Sequence, residues 1–297
     1  MTQSPIIFDR GQNRRAKARS SCNADNGNFL ADWNLGLLCE RLDDIKRHYP
    51  KALLIGHHHS SKTLNRLKDS GKIDDLVIAS TLPDSFTTIV IDDESLSFPA
   101  HSFDLVLCPF TLHRINDVPG FLTQIKIALK PDGLFLGGFP GESTLMELRQ
   151  SFMQTEMDMT GGVHMRVHPC IDKQQAAALM QRAGYALPVV DAEKITVIYD
   201  HAFALMKDLR GLGETNSLIA RPKTLTRKSL MMAMADYYQT HFKEEDGRIY
   251  ATFEMLFLSG WSPHESQQQP LRPGSAQSRL AAALGTEEIG AGEVARS

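Results

Sequence analysis

Residues 51–60, KALLIGHHHS, carry an apolar run straight into one glycine, three histidines and a serine. A run with no polar alternation is what a strand covered on both faces requires, and parallel sheets meet that condition because their crossovers lay helices on each side. A helical pattern over 60–69 follows at once. The segment therefore reads as the first strand, turn and first helix of a doubly wound nucleotide-binding domain, where the ligand sits against the turn and the helix N-terminus. The turn itself has unusual chemistry. Close approach of backbone to a ligand calls for several glycines, and after Gly56 this chain offers His57, His58, His59 and Ser60.

The rest of the chain fits that start. Phe29, Leu30, Trp33, Leu37, Leu38, Leu42 and Ile45 recur at helical spacing over 29–48, and Pro50 stops the helix. Strands are expected at 52–56, 76–79, 88–91, 103–108 and 134–139. Between them stand a helix at 63–69 stopped by Gly71, a helix at 118–129, and the turn Pro131-Asp132-Gly133. Beyond Gly141 come helices at 142–157 and 173–183 around a loop at 160–172. A strand at 187–199, helices at 201–209 and 225–242, and a last strand at 248–261 complete the domain. Strands alternating with helices at this spacing give an α/β, Rossmann-like, mostly parallel doubly wound sheet. The helices of about 200–242 should cap its ligand edge.

Residues 29–261 thus read as the folded domain. Before it lies a basic arm, 1–28, with Arg10, Arg14, Arg15, Lys17 and Arg19 and an apolar patch at Ile6, Ile7 and Phe8; it is expected to be at most partly helical. After it, 262–297 is rich in Gln, Pro, Gly, Ser and Ala, a flexible tail with at most a short helix at 279–284. A net charge of -3 gives no reason to expect nucleic-acid binding. No run approaches the ~18 apolar residues of a membrane span, although the arm suits an anionic membrane surface or an acidic partner. Cys22, Cys39, Cys108 and Cys170 form no C-x-x-C pair, which points to a reducing cytoplasm rather than a disulfide framework or zinc ribbon.

The order of segments resembles class I S-adenosylmethionine-dependent methyltransferases. The likeness rests on 52–60, on Asp92-Asp93-Glu94-Ser95-Leu96-Ser97-Phe98, on Ser102-Phe103-Asp104-Leu105-Val106 and on Leu129-Lys130-Pro131-Asp132-Gly133. A narrower likeness covers nearly the whole chain. Ile7-Phe8-Asp9-Arg10, Leu112-His113, STLMELR ending at Arg149, MKDLRGLGETN ending at Asn216 and GWSPHESQQQPLRPGSA from Gly260 to Ala276 resemble the methyltransferase-like assembly factors of respiratory complex I. That family is related to the carboxyl methyltransferase of biotin synthesis, and its animal member hydroxylates an arginine of a complex I subunit. The resemblance implies a complex I subunit as partner and S-adenosylmethionine as the ancestral cofactor.

The family pattern also says where that cofactor would bind. Its acid near the end of the first strand falls on Leu54, two further turn glycines fall on His58 and Ser60, and the carboxylate for the ribose hydroxyls falls near Ser80. Gly56 remains, as does Asp92, which matches the acid that reads the adenine amino group. The expected cofactor set is Gly56, His57, His58, Ser80, Asp92, Asp93 and Cys108. A lost charge-assisted hydrogen bond is worth roughly 1.5 to 3 kcal/mol, so losing two would cost about two to four decades of affinity.

The histidine triplet admits several explanations. Metal ligation needs at least three converging donors, which His164, His168 and Cys170 supply only by folding back, so no metal is assigned. A phosphate or other anionic cofactor at the helix N-terminus, a turn drifted after losing its ligand, and a modified working site are the others. His113 follows the fourth strand, where catalytic groups of open sheets collect; general base and packed histidine are both open. Glu142 near the start of its helix, Arg149 and Asn216 are the other catalytic candidates, each with an ordinary structural role as its counterpart. Three functions stay in play: a complex I assembly factor that modifies an arginine, a carboxyl methyltransferase, and a non-enzymatic assembly chaperone. Hydroxylation would call for an oxidant and a metal, and the sequence names no ligand set for one.

Overall fold

In the computed structural model, residues 6–21, 29–56, 60–268 and 285–286 are described. His57, His58, His59, Cys22 and the expected short helix at 279–284 lie outside them. The chain divides into two units, Met1–His264 and Glu265–Ser297; the sheet, its helices and the candidate site all belong to the first.

One seven-stranded sheet runs in the order β3-β2-β1-β4-β5-β7-β6. Its strands are β1 (Tyr49–Ile55), β2 (Ile73–Ser80), β3 (Ile89–Val90), β4 (Phe103–Pro109), β5 (Leu129–Pro140), β6 (Ala186–Tyr199) and β7 (Ile249–Trp261). The first five pair in parallel, whereas β7 runs antiparallel to both β5 and β6. β1 is central: Leu53 faces Val77 on one side and Val106 on the other. Its unalternated apolar run has a direct cause. Ala52 and Leu54 enter one core with Leu105, Leu107, Leu134 and Leu136, while Leu53 and Ile55 enter a second with Val106, Cys108 and Phe135. Both faces of the strand are dry.

Helices supply the covering layers. The first core takes α2 (Phe29–Asp44), α3 (Ser61–Lys68), α5 (Met146–Thr160), α7 (Ala202–Gly211) and α8 (Lys228–His241); the second takes α4 (Val118–Ala128) and α6 (Lys173–Ala183). In β7, Ile249, Ala251, Phe253, Met255 and Phe257 share the first core, as their alternate spacing requires. On α2, Leu35 and Leu38 are fully buried, and truncating either to alanine should cost about 2 to 5 kcal/mol.

The start of α5 differs from the sequence expectation. The helix expected from 142 begins at Met146, so Glu142 is exposed ahead of it instead of near its dipole. Residues 141–145 are held by β7: Gly141 N donates to Glu254 O (2.8 Å), Thr144 Oγ1 to Glu254 O (2.7 Å) and Leu145 N to Thr252 O (2.8 Å). The helix starts only after Leu145 turns left-handed (φ 55°). In the arm, expected to be at most partly helical, α1 (Arg10–Ser21) is a 12-residue helix. Its inward face is Asn13, Ala16 and Ser20, small and polar, so no apolar stripe announces it. Phe8 is buried just before α1, and Asp9 accepts from Gln12 N (3.0 Å) in its first turn.

Candidate functional site

At the C-terminal end of β4 the chain reverses through Phe110, whose φ of 49° is left-handed, into a single 3-10 turn, Leu112–Arg114. This turn carries His113 and Arg114 inward. Left-handed backbone at a bulky residue is costly and persists where surrounding contacts impose it. Here Phe110 N donates to Gly138 O (2.6 Å) and its ring meets His113 edge-on at 4.9 Å.

Glu214 enters from the segment after α7. His113 Nε2 lies 3.1 Å from Glu214 Oε1, and Arg114 places Nε 3.0 Å and Nη2 2.6 Å from Oε2, with Nη2 also donating to Gly213 O. All three side chains are nearly excluded from solvent, at 4%, 3% and 14% exposure for His113, Arg114 and Glu214. Burial would raise the Glu214 pKa, but the Arg114 guanidinium and His113 outweigh it and hold the carboxyl well below its usual range. For His113 burial wins over Glu214, and the imidazole is pushed below its ordinary value. At neutral pH the array is a carboxylate, a guanidinium and an uncharged imidazole.

The segment can reach this place because Gly213 has φ 74°. A Cβ there would meet Ser20 Oγ of α1 at 2.8 Å and Ala16 O at 3.3 Å. From the loop after α5, His168 faces the same array: its Nε2 accepts from Ser217 N (3.1 Å), and burial lowers its pKa to about 4. Cys170 follows, its thiol pushed up to about 11 by burial. His113, Thr144, Glu214, His168, Cys170, Asn216 and Arg166 are the polar and charged part of the wall of a cavity of about 80 Å³. A second, mostly apolar cavity of about 300 Å³ borders Ile7, Phe8, Phe139 and Ile171 and shares His113, Pro140 and Cys170 with the first.

The residues expected to hold the cofactor stand at the C-terminal ends of β1, β2 and β4 and in the segment after β3. Gly56 is buried at the end of β1 and donates its N–H to Ala79 O (3.1 Å). Ser80 is buried at the end of β2, with Oγ accepting from Leu82 N (3.3 Å). Asp92 pairs with Arg10 of α1, whose hydrogen bond holds the carboxyl below its usual range. Asp93 lies 3.6 Å from the Arg10 guanidinium and 3.8 Å from Lys17 Nζ. Cys108 points into the second core, its thiol pushed up to about 12 by burial. At the N-terminus of α3, where an anion would bind, Asp32 already accepts from Ser60 N (2.8 Å) and Thr63 Oγ1 (3.0 Å).

Residues 36–137 match the model of a methyltransferase domain. The chain is 34% identical to the zebrafish protein named arginine-hydroxylase NDUFAF5, mitochondrial, over 92% of this chain and 88% of that one. The rat protein of that name is 37% identical, over 91% and 81%.

The chain belongs to the NDUFAF5 arginine-hydroxylase family.

That family sits within the class I methyltransferase superfamily, and its tie to the biotin-pathway enzyme is visible too: a malonyl-[acyl-carrier protein] O-methyltransferase of Methylovorus is 27% identical over 89% of this chain. Among solved structures, a Bacillus halodurans protein described as a methyltransferase superposes with a TM-score of 0.52 over 78% of this chain and 99% of its own, at 14% identity, a likeness of fold.

Of the catalytic candidates, His113 and Asn216 meet at the 80 Å³ cavity, whereas Glu142 and Arg149 do not line it. Asn216 holds the loop after α5 in place, donating to Met165 O (2.8 Å), and Arg149 donates to Thr144 O (3.3 Å) behind the wall. His164 turns to Glu156 (3.3 Å) and His168 to Ser217, so the loop histidines diverge; among the described residues no group of three His, Cys, Asp or Glu side chains is placed to hold a metal ion. Sequence reasoning missed Glu214 and Arg114 as site residues and weighed His168 only as a metal donor. For Glu214 a signal existed, since it lies in the family-specific GLGETN stretch. For the others only the fold supplies the meeting point.

Proposed function

We propose that this protein acts in assembly of respiratory complex I, binding a subunit of that complex and modifying one of its arginines by hydroxylation. The observation that carries the reading is the buried His113–Glu214–Arg114 array, built by a stretch specific to the family and set beside a cavity at the sheet's ligand edge, in a chain colinear with relatives named arginine-hydroxylase. Its test is mass spectrometry of complex I subunits from cells with and without the gene. Loss of one oxygen atom from a single arginine, together with reduced complex I activity, is expected; an unchanged subunit with normal activity refutes the proposal, and biotin dependence would favour the carboxyl methyltransferase.

The cofactor site is proposed to be degraded. Ser80 offers no carboxylate to ribose, its hydroxyl already accepts from Leu82, and Asp92 is engaged by Arg10. The residues present do not fit S-adenosylmethionine as the superfamily pattern would hold it, and no step is routed through it. Calorimetry should give weak or no binding, and a sub-micromolar dissociation constant would overturn this reading. A membrane contact is proposed through α1, supported by exposed Arg14, Arg15 and Arg19 and by exposed Ile6 and Ile7 ahead of it; no described helix is long and apolar enough to cross a membrane. The cytoplasm is the proposed compartment, supported by the free thiols of Cys39, Cys108 and Cys170.

A further inference from the structure

The cavity of about 300 Å³ has a wall that is apolar except at three side chains. Leu112, Ile115 and Phe139 are buried, whereas Ile7 keeps 40% exposure and Pro169 and Leu179 also reach solvent, so the wall runs from the core to the surface. The three polar side chains are His113, Asn116 and Cys170, and their bonds go elsewhere. Asn116 Oδ1 accepts from Ile7 N and Phe8 N (both 2.8 Å), and its Nδ2 donates to Glu94 Oε1 (2.7 Å) and Phe8 O (3.2 Å). His113 is held through Nε2 by Glu214, its Nδ1 is buried, and the Cys170 thiol faces His168 O at 3.8 Å. Parts of the wall's backbone are engaged too: Ile115 N donates to Leu112 O (3.2 Å), and Phe139 and Pro140 are paired with Leu256 and Met255 of β7.

This sets what the cavity can hold. A buried water makes about three hydrogen bonds, and a charged group needs a partner to offset its lost hydration; this wall has few groups left to give. An apolar group needs none. The neighbouring cavity indicates where such a group comes from. His113, Pro140 and Cys170 line both cavities, so whatever is held at the 80 Å³ cavity stands next to the apolar one. Phe8 shows how this wall accepts an aromatic side chain: the ring is buried edge-on to His168 at 5.2 Å and is presented by backbone bridged to Leu218.

We infer that the 300 Å³ cavity is a specificity pocket for one large apolar side chain of the protein substrate, leucine or phenylalanine in kind, standing beside the residue held at the 80 Å³ cavity. An apolar cavity of ~150 Å³ accommodates benzene, so this one takes a larger side chain with part of its main chain. The inference deepens the functional reading above by naming a feature of the substrate, and it rests on the 80 Å³ cavity being the substrate site.

Isoleucine-methyl spectra of the full chain read the pocket directly, because Ile115 and Ile171 both line it. N-acetyl-leucine methylamide and N-acetyl-phenylalanine methylamide should shift both signals, with the alanine compound binding at least about tenfold more weakly and the glutamate compound giving no shift. Leu179→Trp and Ile171→Trp add bulk at partly exposed positions of the wall, and each should weaken the leucine compound at least about tenfold at a parent-like urea midpoint, with Ile115 as reporter in both; the second variant keeps the test intact if the first does not fold. Equal binding of the alanine or glutamate compound, no shift with any compound, or full binding by both folded variants would each overturn the inference. So would a shift with toluene and with none of the amino-acid compounds, since the pocket would then take a free apolar molecule. These readouts need no turnover: an unmodified arginine in complex I removes the functional reading and leaves the binding result standing, whereas a modified arginine with no binding removes this inference alone.

Discussion

Replacing Glu214 with glutamine removes one charge from a site that has almost no water to compensate. The carboxylate accepts two bonds from Arg114 and one from His113, and Arg114, at 3% exposure, would keep Gly213 O and at most the single amide oxygen, with no counter-charge. Breaking a buried pair by deleting one partner typically costs about 3 to 5 kcal/mol. Glutamine retains one oxygen for the guanidinium, so the low end applies, about 3 kcal/mol. For a unit of this size that is a fall in Tm of roughly 6 to 12 °C. Urea unfolding followed by circular dichroism should show a lower midpoint with an unchanged slope. The pH dependence is diagnostic. Because folding depresses this carboxyl below its ordinary value of 4.5, its contribution is complete above that value and is lost as pH falls toward the folded value. The gap between parent and Glu214→Gln should hold steady from pH 8 to about 5 and then narrow. A gap below about 1 kcal/mol at pH 7, or one that widens on acidification, would refute the buried-array account.

The same geometry sets further outcomes. His168 stays neutral in the fold down to about pH 4 while the unfolded chain takes up its proton from 6.5 downward, so the parent should lose up to roughly 3 kcal/mol across that window; His168→Asn should flatten this part of the stability profile, and an unaltered profile would contradict the burial assigned to it. Gly213→Ala forces a side chain onto φ 74° and into Ser20 Oγ at 2.8 Å, and should cost about 2 kcal/mol and speed hydrogen exchange in α1; parent-like exchange there would count against the packing of α1 on this turn. Gly138→Ala would put Cβ within 2.5 Å of Asn34 Nδ2 and should cost about 1 to 3 kcal/mol in urea. Arg10→Ala frees Asp92 and should strengthen any S-adenosylmethionine binding detected by calorimetry; weaker binding would mean that α1 helps hold the cofactor.

Much of the architecture is legible in the chain because burial on both faces leaves a simple mark. The strands 52–56 and 103–108, the helix 173–183 with its stop at Gly184, and the alternating face of Ile249 to Phe257 all reappear within a few residues of their expected places. Elements whose partners are distant and polar leave no such mark. The start of α5 differs from its expected place because hydrogen bonds from β7, more than 100 residues away, hold residues 141–145 outside the helix. Helix α1 leaves no apolar stripe in the sequence because its buried face is Asn, Ala and Ser.

Sequence alone determined the doubly wound α/β frame and the family, since hydrophobic periodicity and residue identity at a motif position are local properties. Tertiary structure decided the site. Only folding brings Glu214 from behind α7, His113 and Arg114 from the turn after β4, and His168 from the loop after α5 into one water-poor space. The same holds for α1, whose Arg10 and Lys17 meet Asp92 and Asp93 across the sheet edge. Charges in a sequence carry no record of which opposite charge they will be buried against; that depends on distance and dielectric, which exist only once the chain has packed.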